Sequence, residues 1–372
     1  MSRLNVDQLG GQTTSNIEVI SGNTLKVGVI EESSTNNGVQ IDGVLIKDGE
    51  VDGVDVSSLT ASPYKKNIII NGNFDIWQRG TSFTGTKYTA DRWYVIASGT
   101  GTTTTSQQSF TLGQTDVPSE PKYYLRIAKS SGATSGDYLS SKNESVRTFA
   151  GQASVISFYA KASAATTLTP TIRQNFGTGG SPSSVNDAVK SDISVTTSWQ
   201  KFTITHTFDS ISGKTLGTDG NDHIELFFNI QNAAGDSIDF AQFQWEKGSV
   251  ATDFEIKPIA EELALCQRYY YKTFAPETTP AQNVAADNYV LVLRYTGAGS
   301  VSTSQQHPVQ MAFSPDITTF NPYAANSSAR QTNSSTDRAL TLISQNRNKL
   351  YFYWAGVDIH SVHLHWTAEA EL

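Results

Sequence analysis

Apolar and polar side chains alternate along most of this chain with a period of two. The alternation is cleanest at Val155, Ser157 and Tyr159 against Ile156 and Phe158, at Phe202, Ile204, His206 and Phe208, and at Ile224, Leu226, Phe228 and Ile230. Successive residues of an extended strand point to opposite faces, so each run predicts a strand with one buried face. Stretches rich in Gly, Ser and Thr at residues 98–108 and 177–187 read as the loops between them. The pattern returns near the end, where Tyr289, Leu291, Leu293 and Tyr295 alternate with Val290, Val292 and Arg294. Val309, Met311 and Phe313 follow, and then Leu350, Phe352 and Trp354 alternate with Tyr351 and Tyr353. The last strand sets Val362, Leu364 and Trp366 on one face and Ser361, His363 and His365 on the other, the histidines facing solvent. Many short strands with turn-rich connections predict an all-β chain built of sandwiches or jelly rolls. Residues 321–338 form a long polar loop between the late strands.

One helix is predicted, over residues 258–271. Pro258 suits the first helical position, Glu261 and Glu262 favour the positive N-terminal end, and Arg268 and Lys272 favour the other. Ile259, Leu263, Cys266 and Tyr270 fall on a narrow seam. Such a seam suits a three-helix axial contact and a contact with a sheet of the same chain equally well.

Before Tyr64 there is no Phe, Tyr or Trp, in a chain that is 10% aromatic. Short aliphatic runs at Ile17/Val19, Leu25/Val27/Val29, Val39/Ile41 and Val51 are separated by Ser-Gly-Asn, Asn-Gly and Asp-Gly turns, the spelling of serial strands. Thin aliphatics on one copy bury little surface, so either three copies wrap around a shared axial core or the segment is a flexible linker; the regular alternation argues against the linker. The predicted organisation is a fibrous β shaft over 1–66, a jelly-roll sandwich over 67–257, a connecting helix over 258–274 and an antiparallel β-sandwich over 275–372.

Charged residues make up only 17% of the 372, and 27 Lys and Arg against 35 Asp and Glu leave a net charge of −8. Without a basic excess, nucleic acid and anionic membrane are not expected ligands. No apolar run approaches the roughly 20 residues that span a bilayer, and the first residues spell no signal-peptide core, so folding in a cytoplasm is expected. A single cysteine, Cys266, excludes an intrachain disulfide and a zinc ribbon, and its place on the apolar seam marks it as packing. The glycine clusters at Gly99/Gly101 and Gly177/Gly179/Gly180 open no helix, so no phosphate cradle is spelled. Asp91 and Arg92 beside Trp93 read as a structural ion pair. No cofactor, metal or catalytic group is expected. His363 and His365 share a face on which threefold symmetry could assemble a metal site, but solvent-facing side chains are the plainer reading.

Residues 67–93, NIIINGNFDIWQRGTSFTGTKYTADRW, resemble the opening of the jelly-roll domain of bacteriophage tail-fibre and receptor-binding proteins, where N-G-N-F-[DE]-x-W-Q-R-G precedes Y-T-A-D-R-W. AQFQWEKGSVATDFE at 241–255 and the following EELALCQRYYYKTF resemble their closing strand and exit helix, so the likeness spans roughly residues 67–274. SNIEVISGNTLKV and GVQIDGVLIKDGEV resemble the fibres' shafts, and HWTAEAEL their last strand. The resemblance implies a homotrimeric virion protein, made in the host cytoplasm, that docks through its N-terminus to a tail, nozzle or adaptor protein and recognises host-surface polysaccharide without enzymatic activity. A tailspike-like glycan depolymerase and a purely structural fibre are the alternatives. A weaker likeness to galactose-binding-type modules would place a structural calcium near Asp75 and Glu246, although the Q-W-E phrase lacks their usual acidic pair. Flat rings with polar tips suit sugars. On that ground Tyr323 in the polar loop, Tyr351 and Tyr353 opposite the predicted core face, and nearby Arg347 are the expected carbohydrate-binding residues, which makes 275–372 the expected receptor-binding domain.

Overall fold

The computed structural model describes residues 39–41, 44–47, 50–51, 54–55, 66–98, 101–131, 136–285, 298–331, 334–357 and 362–372. The chain divides into two compact units, Met1–Pro63 and Tyr64–Leu372. In the first, Val39–Ile41, Val44–Lys47, Glu50–Val51 and Val54–Asp55 pair in sequence order as an antiparallel meander. The earlier runs at Ile17/Val19 and Leu25/Val27/Val29 lie outside the described residues, as does the strand expected at Tyr289–Tyr295.

The second unit is built almost wholly of antiparallel strands. One sheet runs in the order Asn186–Val189, Thr166–Asn175, His223–Ile230, Asp137–Glu144, Trp93–Ile96 and Lys87–Tyr88, with Ile193–Val195 also pairing with Thr166–Asn175. Its partner runs Gln200–Thr207, Ala153–Ala162, Ser237–Lys247, Tyr123–Lys129, Thr103–Ser109 and Ser82–Thr84. Between them lies one core, to which the first sheet gives Val95, Leu139, Ile172, Leu226 and Phe228 and the second Leu125, Ile127, Ile156, Phe158 and Ile238. The period-two alternation predicts this face. Residues 98–108, expected as loop, include the strand Thr103–Ser109, because β-branched threonines pack well on a pleated surface and Thr103 and Thr105 are buried.

One departure from regular pairing shapes the second sheet. Ser157 faces Gln244 but Tyr159 faces Ala241, so Ser237–Lys247 carries one extra residue there. Gln242 takes a left-handed φ of 50° at this bulge. Phe240 and Phe243, three residues apart, consequently both point into the core, fully buried. Each contributes about 2 to 3 kcal/mol by leaving water.

The N-G-N turn organises the entrance to this sandwich. Buried Asn71 donates through Nδ2 to the Ile76 and Asp91 carbonyls at 2.8 and 3.0 Å, and its Oδ1 accepts the Ile76 amide at 3.0 Å. Its carbonyl accepts the Trp93 indole N–H at 3.0 Å, and its amide donates to Glu262 of the helix Ile259–Gln267. The helix therefore packs on the chain's own jelly roll. Cys266 and Tyr270 of the predicted seam are buried there, while Ile259 is exposed. Burial holds the Cys266 thiol well above its ordinary range. The helix is shorter than predicted, and Tyr270–Lys272 leaves it as a strand.

Asp91 and Arg92 do not pair with each other. Adjacent residues diverge, and Arg92 has a φ of 72°. The Asp91 carboxylate accepts from the Gln78 amide at 3.0 Å and lies 3.9 Å from Arg79, and its burial raises it to about 6. Arg92 lies on the Tyr269 ring at 3.4 Å and forms an ion pair with Glu371. Arg79 lies on the Tyr270 ring at 3.7 Å and bonds Glu371 at 3.0 Å. Three phrases far apart in sequence, around residues 77–93, 268–272 and 366–372, thus meet in one buried ionic joint.

Beyond the helix the described residues form three three-stranded antiparallel sheets. They run Tyr270–Lys272, His365–Glu369, Asp316–Phe320; Ala298–Gln306, Lys349–Val357, Thr341–Gln345; and Asp337–Arg338, Ala329–Gln331, Val362–His363. Leu350, Phe352, Val362, Leu364 and Trp366 form their shared core, as the alternation predicts. The side chain of Trp354 falls outside the description. The expected strand at Val309–Phe313 is irregular, although Met311 is buried. His365 does not face solvent: it is buried, stacked on Phe274 at 4.0 Å and hydrogen-bonded to Thr273 Oγ1 at 3.0 Å.

His206, half-buried, provides a pH test of the sandwich. Burial, then the nearby Lys190 charge, lowers its imidazole from 6.5 to about 4. The unfolded chain therefore takes up a proton near pH 6.5 that the fold resists. The contribution of this residue is fully present above that pH and lost as pH falls through 4. Between pH 7 and 4 it should remove about 1 to 2 kcal/mol, discounted for half-exposure to solvent. His206→Asn should flatten the fall of the urea midpoint over that window; an unchanged slope would refute the assignment.

Candidate functional site

The face of the six-stranded sheet that points away from the core carries a half-exposed aromatic cluster. Leu125 and Ile127 point inward, so Tyr124 and Arg126 point outward; likewise Ile156, Phe158 and Ala160 leave Ser157, Tyr159 and Lys161 outside. Asp239 stands between them in register, opposite Arg126 on one neighbour and Lys161 on the other.

Two loops complete the cluster. The Phe110 amide donates to the Lys122 carbonyl at 3.0 Å, which closes the 110–122 loop and brings Phe110 to 4.8 Å from Tyr124. The Ala162 amide donates to the Thr196 carbonyl at 2.8 Å, which ties down the turn bearing Trp199. Trp199 lies 5.3 Å from Phe110 and meets Tyr124 edge-on at 5.5 Å. The bulge contributes at a distance: the Gln242 amide donates to the Pro118 carbonyl at 2.7 Å and holds the 110–122 loop over the sheet.

The charges here have distinct partners. Arg126 forks onto Asp239, Nε to Oδ1 at 2.7 Å and Nη2 to Oδ2 at 2.8 Å, and this hydrogen bonding raises its affinity for its proton. The Lys161 ammonium lies 5.1 Å above the Trp199 ring and 5.8 Å from Tyr124, with Asp239 at 3.9 Å. Burial raises the Tyr124 phenol above its ordinary range. On the same face a notch of about 170 Å³ is lined by Pro118, Ser119, Ser157, Tyr159, Lys201, Gln242, Asp253 and Phe254. Rings, a fixed carboxylate, cations and amides on one sheet face can cover the apolar side of a pyranose and bond its rim oxygens.

Two larger clefts are less suited. One of about 600 Å³ is lined by Arg79, Phe83, Lys87, Tyr88, Thr279 and Glu369, but its guanidinium is committed to Glu371 and the Tyr270 ring. The other, about 410 Å³, is lined by Gln306, His307, Pro308, Val309, Gln310, Asn348 and Lys349, with no Phe, Tyr or Trp among them.

The residues expected from sequence lie elsewhere. Tyr323 is 41% exposed, shares a hydrogen bond of 3.1 Å with His363 Nδ1 and lies 5.7 Å from Arg330. The polar loop around it is ordered by Asp337, which accepts from Asn321 and Asn326 at 2.8 Å and from Arg330 at 2.6 Å; it includes the short strands Ala329–Gln331 and Asp337–Arg338. Tyr351 and Tyr353 come together on one face of their strand, and the Tyr351 hydroxyl accepts from Lys349 at 2.7 Å. Arg347 donates through Nε to the Met311 carbonyl at 2.8 Å.

The residues marked for calcium do not fit that ion. Both Glu246 oxygens are engaged, Oε1 by the Thr252 amide and Oε2 by the Thr252 hydroxyl, each at 2.8 Å. Asp75 accepts from Asn73 at 2.8 Å. The carbonyls of Asn67 and Ile69 receive the Lys257 ammonium at 3.0 and 2.9 Å, where about six oxygens would be needed for a cation. Among the described residues no group of three or more His, Cys, Asp or Glu could hold a metal.

The aromatic cluster was not read from sequence. Phe110, Tyr124 and Trp199 stand in three separate stretches, and Trp199, between Ser198 and Gln200, is the residue whose polar neighbours signal a ring outside the core.

No family model matches the chain, and no curated protein sequence does. Among solved structures, it is similar to the enzymatically active domain of a bacteriophage CBA120 tailspike protein at 14% identity and a TM-score of 0.33, over 50% of this chain and 22% of that one. A putative sugar binding protein from Bacteroides thetaiotaomicron is similar at 16% identity and a TM-score of 0.34, over 49% of this chain and 100% of the other. The N-terminal cellulose-binding domain of Cellulomonas fimi β-1,4-glucanase C is similar at 13% identity and a TM-score of 0.30, over 51% and 100%.

Proposed function

We propose that this chain is a glycan-binding fibre protein of a phage tail, and that it attaches the particle to a host-surface polysaccharide through the outer face of its six-stranded sheet. The observation that carries the reading is the half-exposed Phe110, Tyr124 and Trp199 cluster beside Arg126, Asp239 and Lys161. The tail-fibre phrases at 67–93 and 241–255 support the virion role. In this reading three copies assemble, their N-terminal segments dock to a tail or adaptor protein, and three shallow sites on one trimer gain avidity.

The double variant Trp199→Ala/Tyr124→Ala should lose glycan-array signal and cell adsorption by about 30-fold or more, as expected for truncating aromatic anchors. Its melting temperature should fall only modestly, because both rings lie partly exposed on the outer face rather than in the core. If binding instead survives there and is lost in Tyr323→Ala/Tyr351→Ala/Tyr353→Ala, recognition belongs to the C-terminal sheets. Release of reducing ends from the bound polysaccharide would favour the depolymerase reading.

A further inference from the structure

We infer that the glycan bound at this sheet face is acidic, a uronate or similarly carboxylated sugar, and that the Lys161 ammonium receives its carboxylate while the sugar ring lies against Trp199. The inference rests on the glycan-binding reading of the same site and names the class of its ligand.

Three cations stand on this face, and their partners differ. Arg126 is paired, because its fork takes both oxygens of Asp239. Lys161 shares the charge of the buried Asp239 only at 3.9 Å, beyond hydrogen-bond distance. The Lys161 ammonium lies over the rings of Trp199 and Tyr124, 5.1 and 5.8 Å from their centres. Lys201, exposed at the rim of the adjoining notch, has only a 3.5 Å contact with the Thr252 carbonyl.

The carboxylates do not cancel these charges. Asp239 pairs with Arg126, and Asp253, which lines the same notch as Lys201, is the second carboxylate against three cations. Lys161 is therefore a partly desolvated cation without a hydrogen-bonded counter-charge, fixed beside a flat ring on a chain whose net charge is −8. A neutral sugar would give its ammonium only hydroxyl acceptors. A carboxylate would add charge-assisted bonds, which are about twice as strong. The overall negative charge also works for selectivity: it repels polyanions everywhere except where a local cation is presented.

The test uses the full chain, with sodium alginate, oligogalacturonate and their carboxyl-reduced neutral counterparts immobilised beside a panel of neutral glycans. The acidic members should be retained and their reduced counterparts lost. Retention should fall about tenfold or more in Lys161→Gln. It should also weaken between 50 and 300 mM salt in the wild type more than in that variant, since the Debye length shortens. Trp199→Ala should lose every member. Equal retention of acidic and neutral members, unaffected by Lys161→Gln but abolished by Trp199→Ala, would overturn the inference and leave the glycan-binding site standing. Retention unaffected by Trp199→Ala would overturn both. A melting curve for each variant separates loss of fold from loss of ligand.

Discussion

Glu371→Ala is expected to destabilise the large unit by about 3 to 5 kcal/mol, the cost of removing one partner from a buried ion pair. Arg92 is only 2% exposed and Arg79 10%, and both direct a guanidinium at this one carboxylate. Burial disfavours the charge on Arg92, and Glu371 is the largest influence restoring it. The remaining neighbours cannot replace the carboxylate. Tyr269 and Tyr270 offer ring faces, the Lys142 carbonyl takes one N–H of Arg92, and Glu369 and Asp91 reach Arg79 only at 3.4 and 3.9 Å. The loss is a large share of a typical stability of about 5 to 15 kcal/mol. Glu371→Gln, which keeps an acceptor, should cost less. Urea unfolding of the three proteins provides the measurement, and an alanine variant within about 1 kcal/mol of wild type would show that the joint does not hold the fold.

Gly72→Ala should cost about 3 kcal/mol, at the upper end for overpacking. A methyl group there would stand 2.1 Å from the Phe243 carbonyl oxygen and 3.3 Å from Ile69 Cγ2. Backbone, unlike the end of a side chain, cannot step aside, and the Phe243 amide is itself bonded to the Gly72 carbonyl at 2.9 Å. The displaced strand is the bulged one, so Gln242 and the 110–122 loop it holds should shift, and glycan retention should fall along with stability. Gly220→Ala is the control: its φ is +71° but nothing lies within 4 Å, so only about 1 kcal/mol of left-handed strain is expected. Equal losses in the two variants would contradict the close-approach account.

The strands were legible because a half-buried sheet writes its alternation into sequence. Ile224, Leu226, Phe228 and Ile230, like Val362, Leu364 and Trp366, could be assigned to a core face without knowing what lay opposite. The larger unit begins at Tyr64, the first aromatic residue of the chain, and a segment without aromatic rings has little to bury. Where periodicity was weak, local pattern misled. The threonines at 103–105 read as loop because polarity masks β-branching, and Val309–Phe313 alternates without pairing.

The site was hidden for a different reason. On a strand with one buried face, the outward residues obey no pattern, so Tyr124, Arg126, Lys161 and Asp239 look like any solvated positions. Phe110 looks like a core residue near a strand end, and Trp199 is marked as an outside ring only by its polar neighbours. Only strand order makes Asp239 the neighbour of both Arg126 and Lys161, and only loop closure sets Phe110 and Trp199 beside Tyr124. The ionic joint is the same case, since residues around 79, 92, 270 and 371 can be motifs in sequence but become partners only in the fold. Sequence by itself determined which faces leave water, because that depends on each residue and its near neighbours. Which exposed and charged groups meet was decided by the tertiary structure, because long-range pairing fixes their distances and those distances set both the charge balance and the chemistry of the surface.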